Sequence, residues 1–358
     1  MPAYEIFSLK RWPFSLGAGL LLTALFCAPA AATEADLRRA DSWTFSFYFE
    51  NDMFAGTDRN YTNGTKLTWI SPDLTSYASS DRLPKWFLPY VKRLPFINEP
   101  GLKRNLAFAI GQNMYTPRDI SRRELTVDDR PYSGWTYGAV AFHSKNSRRL
   151  DSMELQLGMV GPLSFAEQTQ DLVHKLRGLQ RPQGWDHQLD NEPGLEMIYE
   201  RKLRLWQIAS LSGLGADAIG HLGAALGNVA IYANSGLCLR LGWNIPVDFG
   251  TSLIRPAGDT NAPLDSRDTR LSSSARFGVH LFSTLDGRAV ARDIFVDGNS
   301  FADSHRVAKE HFVADAAAGI SLLLYNFKLS YAQALRTREF ECQDKYHSFG
   351  SITMSFSY

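Results

Sequence analysis

The sequence has no uninterrupted apolar stretch of about 18 residues beyond its N-terminus, the length that a membrane-spanning helix requires. The N-terminal apolar run, residues 14–26, is itself too short to span a bilayer as a helix. It follows Lys10 and Arg11 and precedes the small residues 30–32. This order of features is typical of a cleaved secretory signal peptide. We therefore predict that residues 1–32 direct export.

Excess charge of one sign and cysteine are also scarce. The chain balances 38 Lys and Arg against 37 Asp and Glu, for a formal net charge of +1. This balance gives no reason to expect a nucleic-acid partner. Cys238 and Cys342 follow the signal segment, and their spacing is not that of a metal site. An oxidising compartment permits them to form a disulfide, and the sequence leaves their pairing open.

Several widespread catalytic motifs are missing. The chain contains no Gly-x-Ser-x-Gly elbow, no phosphate-binding P-loop and no His-Glu-x-x-His zinc motif. Gly213 and Gly215 lack the third glycine of a dinucleotide-binding fingerprint. Any catalytic site must therefore be assembled from residues outside these signatures.

The C-terminal segment alternates strictly between two kinds of side chain. Such a period of two places alternate side chains on opposite faces of a β-strand. An apolar outer face and a small polar inner face are typical of a transmembrane β-barrel, although an edge strand of a soluble β-sandwich can look the same. The apolar positions are Ile352, Met354, Phe356 and Tyr358, and the polar ones are Ser351, Thr353, Ser355 and Ser357.

Eleven further segments are candidate strands, although the seventh alternates poorly. Twelve is an even number, as bacterial barrels require, and export lowers the weight of the soluble alternative. We predict an all-β fold: one domain over residues 33–358 that forms a transmembrane antiparallel β-barrel of about 12 strands, with a helix in an extracellular loop. The predicted strands are residues 43–50, 64–70, 105–113, 134–144, 152–159, 194–205, 207–220, 229–243, 274–285, 312–325, 327–338 and 347–358.

Two connections fit this barrel poorly. If both termini are periplasmic, residues 72–104 and 244–273 are also periplasmic, where turns are usually short. Residues 288–295 can be read either as an extra hairpin arm or as an extension of the ninth strand. The same topology places the ends of strands one, three and five at the extracellular rim.

A polar cluster follows the first strand at that rim. Glu50-Asn51-Asp52, Thr57-Asp58 and Tyr61-Thr62-Asn63-Gly64 supply carboxylate, amide and hydroxyl oxygens within a short span. Such oxygens suit a hard cation such as Ca²⁺, but they are equally the residues of an ordinary hairpin loop. Asn51 shares the parity of the lipid-facing aromatics, so it can meet acyl chains that arrive from the bilayer.

A predicted helix after Gly161-Pro162 belongs to the same rim. Glu167, Gln170 and His174 are spaced by three and four residues, which places them on one helical face. A histidine on a helix beside an Asn-Asp-Thr cluster is a candidate general base. We read the other histidines as structural or exposed.

These residues carry a resemblance that covers almost the whole exported chain. Their order and spacing resemble those of the outer-membrane lipid A 3′-O-deacylase family. The matching fragments are Glu50-Asn51-Asp52, Tyr61-Thr62-Asn63-Gly64, Gln112 with Tyr115-Thr116-Pro117, Arg130-Pro131-Tyr132-Ser133-Gly134-Trp135, Gly161-Pro162, Gln170-x-x-x-His174 and Trp185-Asp186-His187-Gln188-Leu189-Asp190-Asn191-Glu192-Pro193.

The resemblance implies a carboxylic ester hydrolase of the bacterial outer membrane whose active site faces the extracellular leaflet. It would hydrolyse, with Ca²⁺, the ester that holds the 3′-acyloxyacyl group of lipid A in lipopolysaccharide. By motif position, His174 is the catalytic histidine, Asn51 and Asp52 are the Asn-Asp pair, and Thr62 is the threonine. Arg122 stands where the family has lysine, which keeps the positive charge but changes its geometry.

From the same resemblance we state a mechanism as a hypothesis. His174 activates water, Ca²⁺ held by Asp52 and by oxygens near Thr62 stabilises the oxyanion, and Asn51 assists. Arg122 is placed to hold a glucosamine phosphate.

The remaining expectations concern partners and alternatives. Gln170 and Tyr115 are candidate substrate contacts, outer-membrane lipids surround the barrel, and the terminal strand ending at Tyr358 is the expected signal for the barrel-assembly machinery. Two alternatives stay open: a barrel phospholipase or esterase of other specificity, and a non-catalytic porin- or adhesin-like barrel.

Overall fold

Twelve antiparallel strands form a closed barrel in the computed structural model of the chain, which confirms the predicted fold. The described residues are 42–55, 59–74, 76–77, 88–94, 99–209, 212–254, 258, 261–264, 268, 270–271 and 277–358. The predicted signal peptide and the Thr57-Asp58 pair lie outside them. The strands are β1 (Thr44–Asn51), β2 (Asn60–Ile70), β3 (Lys103–Thr116), β4 (Ser133–Lys145), β5 (Arg149–Val160), β6 (Glu192–Ala209), β7 (Leu214–Gly227), β8 (Ala230–Trp243), β9 (Phe277–Asp293), β10 (Phe312–Leu324), β11 (Phe327–Arg336) and β12 (His347–Ser357).

The barrel closes where β1 pairs with β12. On the inner face the hydroxyls of Thr44 and Ser357 lie 3.1 Å apart, and Ser46 donates to Ser355 over 3.2 Å. Ile352, Met354 and Phe356 point outward and are partly or fully exposed. The inner and outer faces predicted from the C-terminal alternation are therefore confirmed.

The strand boundaries differ most from the prediction at the turn between β6 and β7 and at the end of β9. β6 continues to Ala209 and β7 begins only at Leu214, and Gly213, with φ of 88°, lies in the turn between them. Residues 288–293 extend β9, where they pair with β8. The hairpin-arm reading of residues 288–295 is therefore wrong, and the strand-extension reading holds as far as Asp293.

The helices are short and lie in the connections. They are α1 (Leu88–Val91), α2 (Ala166–Arg177) and α3 (Ile294–Asp297), with 3₁₀ turns at Asp52–Ala55, Pro162–Ser164 and Trp185–His187. Among the described residues, no helix has the length and apolarity needed to cross a membrane. The predicted helix after Gly161-Pro162 is α2, the longest of the three.

We call the barrel end that holds Thr44 and Ser357 the terminal rim, and the end where β1, β3 and β5 finish the site rim. At the site rim, hydrogen bonds join the connection between β3 and β4 to those between β9 and β10 and between β11 and β12. The buried Arg130 donates to Glu339 over 3.0 Å, and His305 Nε2 donates to the carbonyl of Asp129 over 2.8 Å. Burial alone would raise the pKa of Glu339, but Arg130 and Arg336 outweigh it and lower that pKa to about 2. The carboxylate of Glu339 is therefore ionised across the physiological pH range.

The long connection between β8 and β9 folds into the barrel. Its described residues, which we call the plug, enter the lumen from the terminal rim. Asn261 Nδ2 donates to the hydroxyl of Tyr48 over 2.9 Å, and the Ile254 amide donates to Glu50 Oε1 over 2.7 Å. Because Glu50 lies one residue from the site-rim end of β1, the plug extends along most of the lumen. The β8–β9 connection can be long at the terminal rim because it folds into the lumen.

The connection between β2 and β3 instead packs on the outer wall near the terminal rim. Tyr77 and the α1 residue Val91 form an apolar cluster with Leu106 of β3 and Phe142 of β4. The Tyr77 hydroxyl donates to the carbonyl of His143 over 2.6 Å. The two long connections thus occupy opposite faces of the barrel wall.

Asp248 is the electrostatic centre of the plug. Its fully buried carboxylate meets Arg240 at 2.6 Å, Lys328 at 2.9 Å and Arg270 at 3.1 Å. Burial alone would raise the pKa of Asp248, but Lys328, Arg240 and Arg270 outweigh it and lower that pKa. One carboxylate thus joins the plug to β8 and to β11.

Replacing this carboxylate should loosen the plug. Asp248→Asn leaves three buried cations without that counter-charge, so we expect the free energy of unfolding to fall by roughly 3–5 kcal/mol. The denaturant midpoint of the detergent-solubilised barrel measures this change. The control is Asp303→Asn, because Asp303 is 94% exposed and its contact with Arg306 is at the surface. Equal shifts for the two variants would contradict the role of Asp248.

Candidate active site

The helix α2 packs on the outside of the barrel wall at the site rim. In β3, Phe108 and Ile110 are exposed on the outer face, and Gln112, Met114 and Thr116 share their parity. Met114 forms a buried cluster with Ala166, the first residue of α2. Gln112 Nε2 also donates to the carbonyl of Ser164, just before the helix, over 2.7 Å.

Two features of β4 bring the helix close to the wall. A Cβ at Gly134 would lie 2.2 Å from the Cβ of Ala166, so only glycine permits this approach. Thr136 Oγ1 donates to the carbonyl of Ser164 over 2.6 Å. Both residues point outward, which places α2 on the face of the barrel that meets lipid.

His174 and Gln170 lie on the buried face of α2, and each is 3% exposed. His174 Nδ1 lies 2.5 Å from the carbonyl of Gln180. Because a carbonyl only accepts, Nδ1 donates, and the lone pair of the neutral ring is on Nε2. Gln170 Oε1 accepts from the indole N–H of Trp185 over 2.9 Å. Hydrogen bonds thus hold both polar side chains on this face of the helix.

The turn at the end of α2 brings the carbonyl of Gln180 to the His174 ring. Gly178 is left-handed, with φ of 64°, and its N–H bonds to the carbonyls of His174 and Lys175. This αL cap reverses the chain at the helix end. The chain can then return Gln180 to the imidazole ring.

Asn51 and Asp52 are held by the connection that follows β1. Asn51 Oδ1 accepts from the amide of Met53 over 2.8 Å, and Asp52 Oδ2 accepts from the amide of Arg59 over 2.5 Å. Asn51 is 7% exposed and Asp52 is completely buried. With its oxygen so engaged, Asn51 presents its Nδ2 amino group as a donor.

Thr62 sits in a β-bulge. Tyr61 pairs with Tyr115 and Asn63 pairs with Met114, so Thr62 is the extra residue. A bulge re-aims a side chain. Strict alternation from Gly64 would turn Thr62 toward the lumen, but its hydroxyl lies 2.7 Å from that of Thr116, on the outer face.

The helix extends from β4 toward this group. Arg177, one turn beyond His174, lies with Nη1 3.3 Å from the sulfur of Met53, the residue after Asp52. Asn51 pairs with Asn63 in the β1–β2 ladder, next to Thr62. The structure thus gathers on one part of the outer wall a set that we call the wall site: Asn51, Asp52, Thr62, Gln170 and His174.

Two predicted residues are not part of the wall site. Tyr115 points into the lumen, where its ring stacks on Phe295 with centroids 4.2 Å apart and lies under the guanidinium of Arg130. Arg122 is exposed in the connection between β3 and β4. Its carbonyl oxygen would lie 3.0 Å from a Cβ at Gly184, the residue before Trp185.

Structure also adds supporting residues that the sequence did not single out. Trp185, Gln180 and Thr116 each hydrogen-bond a member of the wall site. Thr116 and Trp185 belong to the family-like motif fragments, so the sequence does carry a signal for these two. Gln180 acts through its backbone carbonyl, so the identity of its side chain carries no such signal.

The donors near Asp52 fit a hard cation better than a soft one. Within the described residues, no three His, Cys, Asp or Glu side chains are grouped as a metal site would need. Asp52 offers a buried carboxylate, and Thr62 at the start of β2 offers a hydroxyl. One carboxylate with neutral oxygens and water is a ligand set that Ca²⁺ accepts.

The lumen contains a cavity that is separate from the wall site. A cavity of about 110 Å³ lies inside the barrel, lined by Tyr115, Trp135, Glu196, Asp315 and Arg336 among others. The wall site lies on the other face of the strands.

The two cysteines of the exported chain do not form a disulfide. Cys238 is buried and Cys342 is exposed, and both thiols are free.

Comparison with known proteins adds sequence and structural matches. The sequence model of the family described as "Outer membrane protein LpxR" matches residues 20–358. No curated protein matches the chain.

Among solved structures, LpxR from Salmonella typhimurium superposes with a TM-score of 0.69 and 16% identity, over 87% of this chain and 99% of that one. The beta domain of the Bordetella autotransporter Brka gives a TM-score of 0.43 and 9% identity, over 89% of this chain and 99% of that one.

Proposed function

The chain belongs to the LpxR family of outer membrane proteins, and from this premise we propose that it is a lipid A 3′-O-deacylase. The resemblance drawn from the sequence motifs is thereby confirmed at the level of the family, and the barrel is an outer-membrane barrel. One observation carries the proposal of catalysis: His174 is buried between α2 and the outer wall, with Nδ1 fixed on a carbonyl and Nε2 carrying the lone pair.

The proposed reaction is ester hydrolysis by an activated water. His174 Nε2 removes a proton from water as its oxygen attacks the carbonyl carbon of the ester at the 3′ position. Asn51 Nδ2 donates a hydrogen bond to the oxyanion that forms. When the tetrahedral species collapses, the bond to the 3′ oxygen breaks and His174 returns the proton to that oxygen. The products are the 3′-hydroxyl of the sugar and the free acyloxyacyl acid.

We further propose that Asp52 and Thr62 hold Ca²⁺. When bound, the ion would supply positive charge near the developing oxyanion. Asp52 is suited to this because its carboxylate is buried and the amide of Arg59 donates to its Oδ2. In this proposal Arg122, exposed on the neighbouring connection, holds an anionic group of the substrate.

The position of the wall site supports a lipid substrate. The site lies on the lipid-facing side of the strands, so an acyl chain can arrive from the bilayer without entering the lumen. We propose that the site rim faces outward, which puts the wall site at the leaflet that holds lipid A. The plug along the lumen weighs against an open porin.

Purified protein distinguishes the candidates. We expect the acyloxyacyl acid to be released from lipid A with Ca²⁺ and not with a chelator, and His174→Ala to slow release by roughly 10²-fold or more. Hydrolysis confined to glycerophospholipid would favour the esterase of other specificity. Planar-bilayer conductance without hydrolysis would favour the porin-like alternative.

The helix end offers a test of how the base is positioned. Gly178→Val places a β-branched residue at φ of 64°, a strained conformation that costs roughly 1–3 kcal/mol. Because the turn also returns Gln180 to His174, we expect kcat to fall about tenfold or more. Gly178→Asn is the matched variant, since asparagine tolerates this conformation, and it should keep most of the activity. Equal losses in the two variants would contradict the positioning role of the turn.

A further inference from the structure

The helix α2 leaves an apolar flank uncovered beside the wall site. Leu172, Val173 and Leu176 are 56%, 39% and 77% exposed, respectively. Together with Thr169 they recur at spacings of three and four residues, so they form one stripe along the helix. The stripe adjoins the face that buries His174. Polar residues occupy the other exposed flank: Glu167, Gln168, Asp171 and Lys175.

The turn before the helix extends this stripe toward the barrel wall. Leu163 and Phe165 are 51% and 59% exposed. Phe165 has φ of 58°, a left-handed conformation that is uncommon for a residue other than glycine. The chain thus accepts a disfavoured backbone where a large apolar side chain points away from the protein.

The stripe is continuous with the lipid-facing surface of the barrel. β5 ends at Val160, directly before this turn, and its outward Leu155 and Leu157 are 38% and 57% exposed. In an outer-membrane barrel these outward residues meet acyl chains. Exposed apolar side chains therefore occur on the outer face of β5, at Leu163 and Phe165 in the turn, and on α2.

Charge is arranged around the stripe as a membrane surface requires. Lys175, Arg177 and Arg181 are exposed at the C-terminal end of α2, and Arg181 pairs with Asp171 at 3.3 Å. Helices that lie in the membrane interface combine an apolar face with basic residues, which meet anionic headgroups. The charge therefore complements a leaflet rich in lipid phosphates.

We propose that the flank formed by Leu163, Phe165, Leu172, Val173 and Leu176 inserts into the acyl-chain layer of the leaflet around the barrel. The helix then lies in the plane of the membrane, with its polar flank in the headgroup region. This places His174 at the boundary between acyl chains and headgroups. That last consequence rests on the proposed function, because an acyl ester of lipid A lies at that boundary.

Spin-label accessibility tests the insertion directly. A label at Leu176→Cys reports the apolar flank, and Gln168→Cys is the matched control on the polar flank. Both variants are made with Cys342→Ser, because Cys342 is exposed. The labelled full-length barrel is reconstituted in vesicles of phosphatidylcholine and phosphatidylglycerol. We expect collisions with oxygen to dominate at position 176 and collisions with a water-soluble nickel chelate to dominate at position 168.

Other outcomes would overturn the proposal. Nickel-dominated collisions at both positions would show that water covers the stripe. Low accessibility to both reagents at 176, with broadening from a second label, would show that another copy of the chain covers it. Neither readout requires catalysis, so a failure here is separate from a failure of the proposed function.

A second variant tests the consequence for catalysis. The double change Leu172→Asn and Leu176→Asn should lower the ratio of activity on bilayer lipid A to activity on detergent-dispersed lipid A about tenfold relative to the wild type. Unboiled-gel mobility confirms that the barrel has folded. An unchanged ratio would overturn the link between insertion and substrate capture.

Discussion

Replacing His174 with alanine should lower the rate of ester hydrolysis by roughly 10²–10⁴-fold, the range for loss of a positioned general base. The imidazole is buried against the outer wall, and its Nδ1 donates to the carbonyl of Gln180. The variant therefore removes the imidazole that we propose as the base. Initial rates with lipid A in mixed micelles measure the loss.

Two further variants separate chemistry from structure. His174→Gln keeps an amide that can donate to a carbonyl but supplies no base, so it should be about as inactive as His174→Ala. His187→Ala removes an exposed histidine in the turn that begins with Trp185, and its rate should stay within about twofold of the wild type. Full activity in His174→Gln would contradict the role as a base.

Asp52→Asn should remove the response to Ca²⁺ and lower the rate by roughly 10²–10³-fold, the scale of losing one preorganised oxyanion stabiliser. The change keeps the shape of the side chain but removes the negative charge that would hold the ion. A titration of rate against free Ca²⁺ should rise for the wild type and stay flat for the variant. Calorimetric titration of Ca²⁺ into the folded barrel provides a readout that does not depend on turnover.

Asp119→Asn is the matched control for this prediction. Asp119 lies at the same rim, but its carboxylate is exposed and accepts from the amide and hydroxyl of Ser121. Its Ca²⁺ titration should follow that of the wild type. A normal Ca²⁺ response in Asp52→Asn would contradict the proposed ion site.

The barrel could be predicted because its physical signal is local. Side chains along each strand point alternately to lipid and to the lumen. The faces of residues such as Phe356 and Ser357 can therefore be assigned from a few neighbouring positions. The turn between β6 and β7 lies later than predicted because Ile208 and Ala209 continue an apolar strand, and alternation does not reveal the positive φ of Gly213.

The candidate site was only partly predictable, because its geometry depends on contacts between distant segments. The bulge at Thr62 is defined by the pairing of Tyr61 and Asn63 with β3, which alternation in β2 does not reveal. Tyr115 illustrates the same limit, since its motif suggested a substrate contact and the pleat turns it into the lumen.

The plug was beyond sequence reasoning for the same physical reason. Asp248 meets cations from β8 and β11 that are 8 and 80 residues away along the chain. Nothing local distinguishes this segment from a solvated periplasmic loop. Its length is the one signal in the sequence, because turns at the periplasmic end of a barrel are usually short.

The central claim is that the wall site removes the 3′-acyloxyacyl group of lipid A, and mass spectrometry of lipid A tests it most directly. Lipid A is extracted from bacteria that carry the full acyl set and express either the wild-type chain or His174→Ala. We expect loss of that one group with the wild type and intact lipid A with the variant. Intact lipid A with a folded wild-type barrel, or equal deacylation with His174→Ala, would contradict it.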